Sequence, residues 1–141
     1  MRIVTNLINY EFLQIEMPKV IYPELSYKIV GIVYKVYNEI GPGYQEKYYQ
    51  KAVGLEFKQQ NIQFKEQLEI PLKYNKTEIG KFYLDFSIEN KIILELKVGN
   101  KLFVRDYKQI MSYLKTSGLK LGLLVLFSKS GIQYRRILNI Y

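Results

Sequence analysis

The run Leu119–Phe127 is apolar at all but two of its positions and lacks the polar alternation of a half-exposed strand. Such a strand is stable only when both faces are covered, which in a small domain means helices packed on either side of a sheet. Ile92–Val98 has the same branched, apolar character, interrupted by Glu95 and Lys97. Two interior strands of this kind predict an α/β chain.

The remaining elements follow from periodicity and breakers. Leu25, Ile29, Ile32, Val33, Val36 and Ile40 recur at helical steps and form one stripe, which Gly41-Pro42-Gly43 ends. A second helix, about Gln45–Gln60, turns Tyr49, Ala52, Val53 and Phe57 inward. Strands follow over Phe64–Tyr74, Glu78–Ile88 and Ile92–Val98, separated by Asn75-Lys76 and by the Glu89–Lys91 break. Val104, Tyr107, Met111 and Leu114 define a third helix, ended by Ser117-Gly118. Leu119–Phe127, a turn over Ser128–Gly131 and Ile132–Ile140 complete the order α-α-β-β-β-α-β-β. Met1–Tyr22 lacks a steady period and ends before Pro23. It reads as an N-terminal extension, a strand or an arm packed on a partner, leaving residues 23–141 as one domain.

Composition removes whole classes of chemistry. The 141 residues include no cysteine and no histidine, so disulfides, thiolate metal sites, cysteine nucleophiles and His-based triads are excluded. A metal here needs oxygen ligands, which points to magnesium, manganese or calcium rather than zinc. No apolar run approaches the roughly 20 residues of a membrane span, and the first residues do not form a signal peptide. The absence of cysteine fits a reducing cytoplasm, the compartment expected. The net charge of +8 is unevenly placed: residues 1–95 balance, while residues 96–141 carry nine Lys/Arg against Asp106 alone. A basic region of this kind attracts polyanions such as nucleic acid; it also suits an ordinary solvated surface.

The chemistry-bearing residues lie on the interior strands. Glu95 and Lys97 are two apart and leave the same face of their strand. A carboxylate and an ammonium among Ile92, Ile93, Leu94, Leu96 and Val98 are costly unless paired or bound to a metal. Asp85, between Leu84 and Phe86, is the third member, and the hairpin register decides whether it meets them. A two-residue loop opposes Asp85 to Leu94 and turns its side chain away. The three-residue loop Glu89-Asn90-Lys91 opposes it directly to Glu95, with Asn90 or Lys91 in the left-handed conformation. Two facing carboxylates repel, and a divalent cation reverses that sign. The backbone carbonyl of Leu96 and waters would complete its oxygen shell. Lys97 would orient or deprotonate the attacking water.

An Asp, a spacer and Glu-x-Lys on adjacent strands resemble the signature of the PD-(D/E)XK nucleases, and the element order is similar to their restriction-endonuclease-like three-layer core. That resemblance implies a mixed central sheet flanked by helices. Gly43-Tyr44-Gln45-Glu46-Lys47-Tyr48-Tyr49 resembles the motif of the GxxExxY proteins, a branch of that superfamily. The likeness runs from about Leu25 to Asn139. The usual Pro before the Asp is absent, Leu84 standing there.

The resemblance implies a Mg- or Mn-dependent nuclease in which Asp85, Glu95 and Lys97 are catalytic. It adds Glu46 as a helical acid reaching the metal; a first-turn glutamate favoured by the helix dipole is the plainer account. Tyr49 takes the motif tyrosine position, although its spacing suits the core equally well. Gln109 and Tyr113 share a helix face. They resemble a Gln-x-x-x-Tyr element beside the site, or else form a solvated flank. Lys101, Arg105, Lys108 and Tyr113 are the candidate nucleic-acid contacts, with DNA ahead of RNA. Two other readings use the same fold: a non-catalytic nucleic-acid-binding module, and an interaction protein that dimerises through an exposed Tyr-rich surface, the chain having fourteen tyrosines in all.

Overall fold

The computed structural model describes residues 20–141, so most of the expected N-terminal extension lies outside the described residues. Two helices come first, α1 (Pro23–Ile40) and α2 (Glu46–Gln59). They are followed by β1 (Phe64–Tyr74), β2 (Thr77–Ile88), β3 (Ile92–Val98), α3 (Val104–Ser117), β4 (Leu121–Ser128) and β5 (Gly131–Leu138). The element order and fold class are those expected from the sequence, with the last strand ending two residues earlier than Ile140.

Local chemistry explains the boundaries. Pro23 opens α1 at a position where its missing N–H costs nothing. Gly41 closes that helix at φ 80° and donates its N–H to the Tyr37 carbonyl. Asn75 and Lys76 both take positive φ, the requirement of a tight turn that matches strand twist.

The five strands form one mixed sheet in the order β1-β2-β3-β4-β5. Only β3 and β4 run parallel, because α3 crosses between them; the other neighbours are antiparallel. One face packs on α1 and α2 through Ile29, Val33, Val53 and Phe57 against Phe86, Leu94, Leu96, Leu123 and Val125. The other face packs on α3, with Ile110 and Leu114 against Leu84, Ile93 and Leu124. These are the three layers that the apolar run of β4 demands: all eight of its residues are buried. At Gly122 a Cβ would collide with Ile110 Cγ2, so a glycine lets α3 close on the sheet.

Besides a register shift at Leu72/Lys73, the two-residue period of the β1–β2 ribbon breaks at Gln67 and Asp85. Leu84 and Phe86 have the same parity on β2, yet Leu84 lies in the α3 core and Phe86 in the α1/α2 core. On β1, Phe64 and Leu68 divide the same way. The switch falls between them, where the pairing runs Glu66 with Phe86 and Leu68 with Leu84 but omits Gln67 and Asp85. Gln67 stands at φ 53°, a conformation that costs a non-glycine residue about 1–2 kcal/mol. The ribbon therefore rolls from one core to the other at Asp85.

Candidate active site

The β2–β3 turn answers the register question. Ile88 pairs with Ile92, so three residues, Glu89 to Lys91, make the connection. Glu89 and Asn90 take positive φ, and Lys91 donates its N–H to the Ile88 carbonyl. The left-handed residues are thus Glu89 and Asn90, with Lys91 the extra residue that shifts the register by one. The ladder ends at Phe86 with Leu94, one step before Asp85 would meet Glu95.

At that step the side chains replace the ladder. The Asp85 N–H donates to Glu95 Oε1 at 2.9 Å, and the Leu96 N–H donates to Asp85 Oδ2 at 2.8 Å. In an extended strand the N–H and C=O of one residue leave by the same edge. The Leu96 carbonyl therefore also faces the gap that Asp85 occupies. Lys97 Nζ lies 3.3 Å from Glu95 Oε2 and 3.6 Å from Asp106 Oδ1. Asp85, Glu95 and Lys97 are thus brought together.

Asp106 is the residue that sequence reasoning passed over, counting it only as a charge. It is 4% exposed, in the first turn of α3. One oxygen takes the N–H of Phe103 at 2.8 Å, so its carboxylate caps the helix that Phe103 cannot cap with its own side chain. The other oxygen reaches Lys97. An acid three residues into a predicted helix was the available signal. Its second role needed the β3–α3 packing.

The electrostatics follow from this crowding. Burial, then the Glu95 charge, push the Asp85 carboxyl up to about 7, against the pull of the Leu96 N–H. Burial also raises Glu95, opposed by the Asp85 N–H and by Lys97. Glu46, the first residue of α2, is half-buried and raised by burial and then by the charge of Asp85. Burial alone would lower Lys97, but Glu95, Glu46 and Asp106 outweigh it and hold the ammonium above its ordinary value. Lys97 is accordingly a fixed cation at neutral pH, suited to orienting water and offsetting charge rather than to taking a proton.

Among the described residues no group of three or more His, Cys, Asp or Glu side chains stands as a ready metal cage. The donors that meet are all oxygen, Asp85, Glu95 and the Leu96 carbonyl, and Glu46 is near enough for the Asp85 charge to act on it. Such a set suits magnesium or manganese, which take one or two carboxylates and keep several waters.

The other expected contacts are placed as follows. Gln109 and Tyr113 are half-buried on α3, with Tyr113 packed on the core between α3 and the sheet. Lys101 and Arg105 are exposed and flank the Phe103 ring, at 5.3 Å and 4.7 Å from its centre. Lys108 is exposed and lines a shallow hollow with Met111, Lys115 and Tyr141. Arg136, part of the basic last third, instead holds α1 to the sheet by donating to Ser26 Oγ and the Ile21 carbonyl. Tyr49 is fully buried, lies flat on Phe127 at 4.2 Å and donates its hydroxyl to the Gly41 carbonyl. It belongs to the core.

A three-layer α/β fold with two carboxylates and a lysine where a hairpin opens defines the restriction-endonuclease-like class. A family model described as the PD-(D/E)XK nuclease superfamily matches residues 23–137. The chain belongs to that superfamily. Among solved structures it is similar to the one titled "Crystal structure of SSO0001", at 19% identity and a TM-score of 0.53. That likeness covers 66% of this chain and 50% of the other, so the chain spans half of its neighbour, and the fold is what they share. Comparison with curated proteins finds no match. No described helix is long and apolar enough to cross a membrane.

Proposed function

We propose that residues 23–141 form a metal-dependent nuclease domain that hydrolyses nucleic-acid phosphodiester bonds, DNA ahead of RNA. The observation that carries this is the meeting of Asp85 and Glu95 across an opened ladder, with Lys97 paired to Glu95. Asp85, Glu95, Glu46 and the Leu96 carbonyl would hold Mg or Mn. When bound, the ion supplies acidified water and charge to balance the phosphate. Hydrolysis forms one bond from water oxygen to phosphorus and breaks one ester bond, the departing oxygen taking a proton. In this chain Lys97, held charged by three carboxylates, orients the water and stabilises the oxygens as negative charge builds on them. Asp106 holds Lys97 in place, and the resemblance adds Gln109, a turn further along α3, as a further site residue.

The Gly43–Tyr49 segment supports the narrower GxxExxY assignment, because each motif residue has a separate task. Gly43 takes φ 98°, Glu46 lies by the carboxylates, and Tyr49 locks the loop to the core.

The test is incubation of pure protein with plasmid and single-stranded substrates, with and without Mg or Mn. Cleavage is expected only with metal and is expected to vanish in Lys97→Ala; cleavage surviving that change would refute the site. The basic last third favours one second reading, a non-catalytic binding module. It predicts salt-sensitive binding without turnover, indifferent to Asp85→Asn.

A further inference from the structure

We infer that Phe103, between Lys101 and Arg105, is a stacking platform for an unpaired nucleobase, so that the substrate is engaged as a single strand beside the carboxylates. The inference rests on the nuclease reading above and adds the form of nucleic acid to it.

Phe103 sits at the N-cap of α3, where Ser, Thr, Asp or Asn would each contribute about 1 kcal/mol by accepting a backbone hydrogen bond. A phenylalanine forfeits that contribution. The residue is 43% exposed and belongs to neither hydrophobic core. Beyond its cation–π contacts with Lys101 and Arg105, which are weak at an exposed site, folding gives little reason for an aromatic here. Position does: the Phe103 N–H and the Lys97 ammonium share one carboxylate, that of Asp106. The Phe103 backbone is therefore anchored one carboxylate away from the lysine that would meet the scissile phosphate, held by a buried acid.

The flanking charges match one occupant. Arg105 and Lys101 lie over the ring at 4.7 Å and 5.3 Å. A base with an aromatic or guanidinium plane to stack on, and its phosphates with two cations, satisfy both features together. A duplex keeps its bases stacked on one another and offers this ring only phosphates. An acidic peptide would use the cations and leave the ring idle.

The protein contains no tryptophan, so Phe103→Trp introduces a single reporter at the platform. Binding is measured in metal-free buffer at fixed low salt, using a labelled oligo(dT) of about 15 nucleotides, the matching duplex and a poly-glutamate peptide. Expected results are quenching of the introduced indole fluorescence by oligo(dT) but not by duplex or peptide, and about tenfold weaker oligo(dT) binding in Phe103→Ala. Duplex affinity should change less than twofold, and circular dichroism should confirm that the variant is folded. Oligo(dT) affinity unchanged in Phe103→Ala, or equal quenching by duplex or peptide, overturns the platform. If metal-dependent cleavage persists in that case, only this inference fails. If the wild-type protein neither binds nor cleaves nucleic acid, the nuclease reading fails with it.

Discussion

Replacing Asp85 by asparagine removes a buried charge while keeping the size of the side chain and an oxygen for the Leu96 N–H. The carboxyl rises from an ordinary 3.8 to about 7 in the fold, chiefly through burial and then through Glu95. Below pH 4 the folded and unfolded chains both carry the proton, and Asp85 is neutral with respect to stability. Between pH 4 and 7 the unfolded chain has lost the proton while the folded one retains it, so stability falls as pH rises. At about 1.36 kcal/mol per pH unit, the rise from 3.8 to about 7 amounts to about 4 kcal/mol lost by pH 8. For a domain of this size that is on the order of 10 °C in Tm. In metal-free buffer Asp85→Asn should therefore match the wild type near pH 4 and exceed it increasingly toward pH 8. Added Mg should stabilise the wild type at pH 8 and barely affect the variant, because the cation then supplies the charge that the pair lacks. Thermal melts followed by circular dichroism from pH 4 to 8 test this. A variant less stable than wild type at pH 8 without metal, or a gap independent of pH, would refute the reasoning.

Further outcomes follow from single contacts. Asp106→Asn keeps a cap for Phe103 but removes one of the two carboxylates that position the Lys97 ammonium, so kcat should fall about tenfold or more with KM little changed. A parallel fall in thermal stability alone would show a purely structural role. Gly122→Ala places a methyl group against Ile110 Cγ2 and should destabilise the domain by about 1–3 kcal/mol in urea melts, with Ile110→Leu, which lacks the Cγ2 branch, restoring part of the loss. Tyr49→Phe removes the hydroxyl bonded to the Gly41 carbonyl and should cost about 1 kcal/mol while leaving the Phe127 stack intact.

The layers were legible in the chain itself, because they depend on short-range pattern. An uninterrupted apolar strand needs cover on both faces, and the stripe of α1 and the apolar residues of α3 supply it. Gly41, Asn75 and Gly118 mark ends that only certain backbones permit, and those residues stand beside the breaks they cause. Glu95 and Lys97 shared a strand face by parity alone. The hairpin needed more: two registers fitted the same residues, and the conformations of Glu89 and Asn90 decided between them.

What tertiary structure alone decided is the environment of Asp85. Strand parity, followed from Phe86, would leave Leu84 in the α1/α2 core; the roll at Gln67 and Asp85 carries it to the other. That roll is an arrangement of two strands rather than a property of either. The Asp106 bond to Lys97 and the approach of Glu46 likewise join residues far apart in sequence, through packing that no local period encodes. The sequence determined that two carboxylates and a lysine would be buried in an interior sheet. The fold determined that the two carboxylates would meet across an opened ladder, with the lysine paired to one of them.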